Sequence, residues 1–343
     1  MTTPESALPD LFVMRDGTPV TQPSQWAARR LEIYQSTVPL AYGHWPAVPA
    51  RTTCEVLHTA TVRRLGGARL WTCRIRTDGV PAFVLRVFAP AGAGRHAVVL
   101  NGDGCWQYAG DDVIAEILRR GYAFAQFNRV EIVPDMPGTH SPVGALAAWA
   151  WGYHRAIDAL AEVDLVDPAL VAVVGHSRGG KAALLAGATD TRIALTSANN
   201  SGAGGAGCFR RQGPGSETLA DVTAAFPHWF GSGLAAFAGR EHALPFDQHF
   251  LKALVAPRAL LTTEACDDLW ANPEGTRHTH EAARAAYVFL GVGERIAIRW
   301  RAGGHDHAPA DWNTLLDFCD QVLGDRPGRT ATPTAETQDP RRP

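Results

Sequence analysis

A serine lies at the centre of the segment whose residue types point most directly to chemistry. Residues 171–181 read Val-Ala-Val-Val-Gly-His-Ser-Arg-Gly-Gly-Lys, so an apolar, β-branched run enters a Gly-x-Ser-x-Gly turn. A stretch rich in alanine and leucine follows, and this order predicts a strand, a tight turn and a helix. Gly175 and Gly179 leave room where the backbone of such a turn is crowded. The pattern predicts that Ser177 is a nucleophile, placed above a helix N-terminus that favours negative charge.

A serine hydroxyl is a poor nucleophile at its free pKa, so a histidine that accepts its proton is expected elsewhere. In hydrolases with this serine motif, the histidine comes last in the chain, after the acid. The segment Arg-Ala-Gly-Gly-His-Asp-His at 301–307 follows the last predicted strand. Two glycines before His305 suit a loop that reaches across to the serine. We predict His305 as the base and keep His307 as the alternative.

The histidine needs an acid that orients it, and three acids compete for this role. They follow the predicted strand 259–263 in the order Glu264, Asp267 and Asp268. The acid is expected just beyond a strand, buried and hydrogen-bonded to the histidine. We place Asp268 first and keep Asp267 and Glu264 as alternatives. At least two of the three must then be helix caps or surface acids.

Ester or amide chemistry at a serine also needs two donors aimed at the developing oxyanion. The backbone N–H of Arg178, directly after the nucleophile, is the first candidate. The second is expected in the glycine-rich loop that follows the predicted strand 96–100, with Gly102 as the candidate residue.

Strands alternate with helices through most of the chain, which predicts a mostly parallel sheet covered on both faces. The predicted strands are 54–58, 70–76, 83–88, 96–100, 122–127, 170–174, 193–198, 259–263 and 295–300. The predicted helices are 111–120, 143–163, 181–188, 272–290 and 309–323. The first three strands form an antiparallel meander. The predicted fold class is therefore α/β, a three-layer α/β/α sandwich of the α/β-hydrolase type.

The chain divides into one large domain and two short ends. Residues 26–325 are expected to form a single α/β-hydrolase domain, within which the irregular, aromatic-rich segment 202–250 forms a substrate-binding insertion. Residues 1–25 are rich in turn formers and are expected to be peripheral. Residues 326–343 are rich in proline, threonine and arginine and are predicted to be a disordered tail.

Composition sets limits on partners and location. The chain has 343 residues, 46% hydrophobic content and a formal net charge of −2, so no basic field indicates nucleic-acid binding. No apolar run is long enough to span a bilayer as a helix, so no membrane partner is expected. The six cysteines and the histidines lack metal-ligand spacing, so no metal site is expected. Without a visible secretory signal the expected location is the cytoplasm, or outside the cell if a signal was trimmed. Oligomeric state is left open.

Several motifs in one order resemble the glucuronoyl esterases of carbohydrate esterase family 15, in their bacterial form. The resemblance covers about 39–323 and is strongest over 140–310. The motifs are Gly-His-Ser-Arg-Gly-Gly-Lys at 175–181, Asn-Ser-Gly-Ala-Gly-Gly at 200–205, Phe-Pro-His-Trp-Phe at 226–230, Leu-Pro-Phe-Asp-Gln-His at 244–249, Ala-Pro-Arg at 256–258 and Asp-Leu-Trp at 268–270.

This resemblance implies hydrolysis of esters of (4-O-methyl)glucuronic acid through an acyl-serine, without metal or organic cofactor. It implies that the Arg178 guanidinium joins the oxyanion hole. It also implies that Lys181 hydrogen-bonds the sugar and that Trp270 lines its pocket, with Glu217 and Trp229 as further substrate contacts.

The chain departs from the family at two positions beside the site. Many members carry a glutamate as the acid of the triad where this chain has Asn200, which is why the acid is assigned to Asp268. His176 replaces a cysteine of the fungal members. Two other functions are considered: an acyltransferase or tailoring esterase for a small intracellular metabolite, favoured if segment 202–250 forms an apolar acceptor pocket, and a non-catalytic carbohydrate-binding relic, to which Asn200 gives weight.

Overall fold

The computed structural model of the protein describes residues 7–105, 109–138 and 143–324. The predicted tail 326–343 lies outside the described residues, as do the first six residues of the N-terminal segment. Within the described ranges, the chain builds one sheet of nine strands with helices on both faces.

The nine predicted strands and the five predicted helices are present close to their predicted positions, and three further helices, α1, α5 and α6 below, were not predicted. The strands are β1 (Thr52–Val62), β2 (Ala68–Thr77), β3 (Phe83–Ala89), β4 (His96–Asn101), β5 (Ala123–Phe127), β6 (Val166–His176), β7 (Ile193–Asn199), β8 (Ala259–Ala265) and β9 (Ile296–Arg301). The helices are α1 (Trp26–Tyr42), α2 (Asp111–Arg119), α3 (Ala145–Ala161), α4 (Arg178–Thr189), α5 (Leu219–Ala225), α6 (Gln248–Ala253), α7 (Pro273–Phe289) and α8 (Pro309–Val322).

The sheet order is β1-β2-β3-β5-β4-β6-β7-β8-β9. The six strands from β5 to β9 in this order run parallel, whereas β1, β2 and β3 are antiparallel to their neighbours. The expected meander and parallel sheet are therefore both present, and the predicted α/β/α sandwich of the α/β-hydrolase type is confirmed. The carboxyl ends of β6, β8 and β9 meet at one edge, where open α/β sheets bind ligands.

Two apolar clusters bury the two faces of the sheet. On one face α1, α3, α4, α6 and α7 pack together around the large, fully buried rings of Trp149, Tyr153 and Tyr287. On the other face, only α2 and α8 of the described helices contribute buried side chains, among them Ile117, Trp312 and Leu316. Burial on both faces explains why the parallel strands are nearly continuous runs of apolar residues.

The N-terminal segment is less peripheral than its turn-rich sequence indicates. Leu11 and Val20 are each only 4% exposed, and the carbonyl of Pro9 accepts a 2.8 Å hydrogen bond from His249 of α6. The helix α1 follows directly and was not predicted, because its sequence has weak amphipathic periodicity and includes Pro39. Segment 202–250 is largely irregular, as predicted, with only short helical pieces.

Candidate active site

The serine turn has the strained geometry that its sequence predicts. β6 ends at His176 and α4 begins at Arg178, so Ser177 is the single residue between them, with φ 54° and ψ −122°. A non-glycine residue in this region is costly and is held by its surroundings. The Ser177 N–H donates to the Asn199 carbonyl at 2.9 Å, and the Ser177 carbonyl accepts from the Lys181 N–H at 3.0 Å.

The two glycines of the motif are required by close contacts on either side of the turn. A Cβ at Gly175 would overlap the backbone of Gly179, and a Cβ at Gly179 would overlap the Asp103 carboxylate. That carboxylate accepts from the His176 N–H at 2.8 Å and pairs with Arg129. The loop after β4 therefore holds the serine turn in place through the contacts of Asp103 with His176 and Gly179.

A continuous hydrogen-bonded chain links Ser177, His305 and Asp268. The Ser177 Oγ lies 2.9 Å from Nε2 of His305, and Nδ1 of His305 lies 2.5 Å from Oδ2 of Asp268. The Asp268 side chain is 3% exposed, whereas that of His305 is 41% exposed. The imidazole can thus accept a proton from the hydroxyl on one side, while a buried carboxylate orients it on the other.

The two alternative acids have other surroundings. Asp267 is exposed and clasps the loop of the histidine: its Oδ2 accepts from the Gly303 N–H at 2.9 Å, and its own N–H donates to the Gly303 carbonyl at 3.1 Å. Glu264 is fully buried, and this burial raises its pKa to about 8. The structure therefore brings Asp268, rather than either alternative, to the His305 ring.

The uncharged residue at position 200 has a structural part in the site. The side-chain Oδ1 of Asn200 accepts from the Ala265 N–H at 2.9 Å, and the backbone N–H of Asn200 donates to the Thr263 carbonyl at 2.9 Å. The side chain thus joins the ends of β7 and β8, next to the loop that carries Asp268. This arrangement agrees with the assignment of the acid to the loop after β8.

The alternative base, His307, is packed against rings rather than placed at the serine. Its ring stacks on Trp312 at 4.4 Å and on His176 at 5.6 Å between centroids. Burial lowers the pKa of His307 to about 3. His305 is the histidine that contacts Ser177.

The Arg178 side chain is fixed beside the serine by Asp135, which the sequence analysis missed, and by Trp229, which it predicted as a substrate contact. Its Nη1 donates to Asp135 Oδ2 at 2.6 Å, and its guanidinium carbon lies 4.9 Å from the ring centre of Trp229. Asp135 also accepts from Trp229 Nε1 at 2.7 Å and from His228 Nε2 at 2.9 Å. Burial opposes the charge on Asp135, but these three hydrogen bonds lower its pKa overall. The only sequence signal was an acid between two prolines in the loop after β5.

The second oxyanion donor is not where the sequence places it. The Gly102 N–H donates to the Tyr153 hydroxyl at 2.8 Å, and that hydroxyl donates to the Val174 carbonyl at 3.0 Å. A Cβ at Gly102 would overlap the Tyr153 ring, so glycine is needed here for a close approach. The prediction of Gly102 as an oxyanion donor is therefore corrected. The Arg178 N–H, in the first turn of α4, belongs to the group that lacks an intrahelical acceptor.

A cavity of about 520 Å³ opens beside Ser177. The four predicted substrate-binding residues line it: Lys181, Glu217, Trp229 and Trp270. The Lys181 ammonium donates to the Ser201 carbonyl at 2.8 Å, to the Ala203 carbonyl at 2.6 Å and to Glu217 Oε2 at 3.3 Å. These contacts use all three donors of the ammonium group. Lys181 and Glu217 are therefore a buried pair in the cavity wall, and burial lowers the pKa of Lys181.

The two tryptophans of the cavity differ in exposure. Trp229 is 2% exposed and forms part of the wall, stacked on Phe226 at 3.9 Å between centroids. Trp270 is 53% exposed and lies at the rim, in the helical turn that Asp268 begins. A rim tryptophan offers an apolar face to a ligand without being part of the core.

Comparison with known proteins agrees with this arrangement. A family model of the fungal glucuronyl esterases matches residues 85–291. The 4-O-methyl-glucuronoyl methylesterase of Schizophyllum commune is 31% identical over 91% of this chain and 80% of that protein. A promiscuous CE15 esterase from a marine bacterial metagenome superimposes with a TM-score of 0.84 at 30% identity, over 92% of this chain and 97% of that one. A glucuronoyl esterase variant from Sporotrichum thermophile was solved in complex with methyl 4-O-methyl-β-D-glucopyranuronate. It superimposes with a TM-score of 0.77 at 27% identity, over 95% of this chain and 89% of that one.

The parallel sheet and the serine turn at its carboxyl edge define a carboxylic ester hydrolase of the α/β-hydrolase fold. The chain belongs to the glucuronoyl esterase family, carbohydrate esterase family 15. The predicted family and enzyme class are thereby confirmed, and the protein is a carbohydrate ester hydrolase.

The expectation of a cytoplasmic protein is wrong. Glucuronoyl esterases act on extracellular plant polysaccharides and are typically secreted. The expectation was based only on the lack of a visible secretory signal, which does not decide where the protein acts. In the part of the chain that the structure describes, no helix combines the length and the apolar character needed to cross a membrane.

Proposed function

We propose that this enzyme hydrolyses esters of glucuronic acid or its 4-O-methyl derivative through an acyl-Ser177 intermediate. The observation that carries the proposal is the position of the His305 imidazole, which hydrogen-bonds the Ser177 hydroxyl on one side and the buried Asp268 carboxylate on the other. The name of the Schizophyllum commune relative and the ligand of the Sporotrichum thermophile structure support the choice of acid.

The first half of the reaction transfers the acyl group to the serine. His305 Nε2 takes the proton of the Ser177 hydroxyl as Oγ forms a bond to the ester carbon. The carbonyl oxygen becomes an oxyanion, which the Arg178 N–H and guanidinium stabilise. Asp268 holds Nδ1–H and stabilises the imidazolium. The oxyanion then collapses, the bond to the alcohol oxygen breaks, and His305 gives its proton to that oxygen.

The second half returns the enzyme to its starting state. A water molecule gives one proton to His305 Nε2 as its oxygen attacks the acyl carbon, and the same two donors stabilise the second oxyanion. When the bond to Ser177 Oγ breaks, His305 returns the proton to that oxygen. The products are the free uronic acid, as its carboxylate at neutral pH, and the alcohol.

The sugar binds in the cavity beside the serine. Glu217 and Lys181 offer hydrogen-bonding groups to the ring hydroxyls, and a hydroxyl that binds the ammonium replaces its longest contact, the one to Glu217. The exposed face of Trp270 covers the apolar face of the sugar ring, and Trp229 closes the far wall. A polar wall opposite an aromatic face is a common way to hold a carbohydrate.

The test is hydrolysis of methyl 4-O-methyl-glucuronate by Ser177→Ala, with Ser36→Ala on α1 as the matched control. We expect Ser177→Ala to lose at least about 10⁴-fold in kcat, because the nucleophile is absent, and Ser36→Ala to match the unmodified enzyme. Retained turnover in Ser177→Ala would reject the acyl-serine. Equal kcat/KM for the methyl esters of glucuronic and galacturonic acid would reject the proposed sugar specificity, since it depends on directed contacts to the hydroxyls.

A further inference from the structure

The loop that carries His305 is exposed to solvent. Residues 302–306 are exposed or half-buried, include Gly303 with φ 95° and Gly304, and place the base in contact with solvent. Glycines in an exposed loop give the backbone conformational freedom. A base must nevertheless stay within about 2.6–3.2 Å of the hydroxyl it deprotonates.

One side of the loop is held by polar contacts. Asp267 pairs twice with the backbone of Gly303, and the Arg301 guanidinium donates to the carbonyls of Gly304 and Asp306. Arg301 is itself paired with the buried Asp311 at the start of α8 at 2.8 Å. These contacts fix the loop backbone, but none of them touches the ring of the base.

A column of four rings also packs against the loop. Trp312 of α8 stacks on His307 at 4.4 Å with an interplanar angle of 23°, and His307 stacks on His176 at 5.6 Å and 17°. His176 then contacts the His305 ring at 4.7 Å and 47°. We call this set, Trp312–His307–His176–His305, the ring column.

The two rings that flank His307, those of Trp312 and His176, are each anchored in the fold. The rings of Trp312 and of Phe124 on β5 form a T-shaped contact with their centroids 6.1 Å apart, within the apolar cluster beneath α2 and α8. His176 lies at the end of β6, and its Nδ1 lies 2.6 Å from Asn199 Oδ1. Since Asn199 Nδ2 donates to Thr263 at 2.8 Å, the Asn199 oxygen faces His176 and accepts from Nδ1–H.

The two middle rings are uncharged at neutral pH. Burial lowers the pKa of His307 to about 3 and also lowers that of His176. They therefore set no positive charge against the imidazolium that forms on His305. An uncharged aromatic ring of similar shape can replace His307 in this role.

We propose that the ring column is a positioning device for the base, in which His307 links the fixed Trp312 to His176, and His176 in turn contacts the His305 imidazole. The proposal rests on the function assigned to Ser177 and His305 above. Loss of the His307 ring leaves a gap between Trp312 and His176, so His176 loses the ring that packs on one of its faces. His305 then samples orientations in which Nε2 no longer meets the hydroxyl.

The test compares His307→Ala, which removes the ring, with His307→Phe, which keeps a ring and cannot titrate. We expect His307→Ala to lose about 10- to 100-fold in kcat with KM within about twofold, because a misplacement of about 1 Å can cost up to 10²-fold. His307→Phe should recover kcat to within about threefold of the unmodified enzyme. Trp312→Leu should shift kcat in the same direction as His307→Ala. His58→Ala, on the far edge strand, is the control and should change neither constant.

Labelling of Ser177 with a fluorophosphonate separates positioning from misfolding. The labelling rate of His307→Ala should fall in parallel with kcat, whereas the final extent of labelling should remain complete. A kcat of His307→Ala within twofold of the unmodified enzyme would overturn the proposal, as would a His307→Phe variant as impaired as His307→Ala. Incomplete labelling would assign the loss to folding and also reject it. If Ser177→Ala stays active, the assigned function fails instead.

Discussion

Asp268 and His305 join a buried carboxylate to a largely exposed imidazole, and the negative charge of the carboxylate is what the imidazolium requires. Asp268→Asn keeps the shape of the side chain but removes this charge and favours the wrong imidazole tautomer. We expect kcat to fall by about 10³- to 10⁴-fold with little change in KM. Steady-state hydrolysis of a methyl glucuronate ester measures both constants.

The neighbouring acids provide the matched controls. Glu264→Gln keeps a buried group that is already largely neutral at pH 7, so its kcat should stay within about threefold. Asp267→Asn should lose less than about tenfold, because the amide can still accept from the Gly303 N–H. A larger loss in either control than in Asp268→Asn would reassign the acid.

Asp135 holds the Arg178 guanidinium through a 2.6 Å hydrogen bond and also accepts from His228 and Trp229. Asp135→Asn places an amide where three donors converge, so the guanidinium loses its fixed position. We expect kcat to fall by about 10- to 100-fold, less than the full loss of an oxyanion donor. The change in kcat of the methyl ester is the measurement.

A double-mutant cycle tests whether Asp135 acts through Arg178. In an Arg178→Ala background, Asp135→Asn should have almost no further effect on kcat, since the group it positions is gone. Additive losses would show that Asp135 acts independently of Arg178.

Single residues of the site differ in how far sequence alone could identify them. Ser177 lies in a local motif, and His305 follows a chain order that the motif implies. Gly102 was misassigned because its N–H is taken by Tyr153, which lies 51 positions away in the chain. Asp135 was missed for the same reason, since its partners are 43 or more positions distant. Local pattern identifies a residue type, whereas its hydrogen-bond partner is a property of the folded chain.

At the scale of elements, the turn between β6 and α4 depends on the contact of Gly179 with Asp103. Helix propensity alone predicts that Gly179→Ala stabilises α4 by about 0.5–1 kcal/mol. The added Cβ would instead overlap the Asp103 carboxylate, which the His176 N–H and Arg129 hold in place. We therefore expect Gly179→Ala to lower the melting temperature and to reduce kcat by more than about 100-fold.

Gly213→Ala is the comparison for this effect, because a Cβ there meets its neighbours only at ordinary contact distances of 3.5–3.6 Å. Thermal unfolding and ester hydrolysis of the two variants should diverge. Unchanged activity in Gly179→Ala would mean that the turn can shift away from Asp103.

The elements themselves were largely predictable, and the exceptions have physical causes. Every predicted strand is present, because β-branched runs with two buried faces or alternating faces carry a strong pattern. The helix α1 was not predicted, since the face it buries, including Ile33 and Val38, packs against partners from distant parts of the chain. Its interior Pro39 further weakens the helical signal.

At the scale of the whole molecule, buried histidines connect segments that are far apart in the sequence. His249 on α6 binds the carbonyl of Pro9, His154 on α3 binds that of Ala186, and His280 lies on the buried face of α7. The fold class could be predicted from alternating strands and helices, but these contacts and the docking of the N-terminal segment could not. They depend on which helices pack together on one face of the sheet.

These histidines make the fold sensitive to acid. Burial is the main cause in each case, and it lowers the pKa of His154 to about 4, of His249 to about 4 and of His280 to about 3. In the unfolded chain each has a pKa near 6.5. The folded pKa is thus depressed, so the unfolded chain binds more protons below pH 6.5. The stability that is present above this pH is lost as the pH falls toward 4.

We expect the free energy of unfolding to decrease by about 1.4 kcal/mol per pH unit for each of these histidines between pH 6 and pH 4. Urea unfolding at pH 7.5, 6.0, 5.0 and 4.5 measures the slope. His280→Phe removes one titrating group, so its slope should be smaller by about one proton, or about 1.4 kcal/mol per pH unit. Equal slopes for His280→Phe and the unmodified protein would mean that His280 is protonated without unfolding, and that its helix opens to water in the folded state.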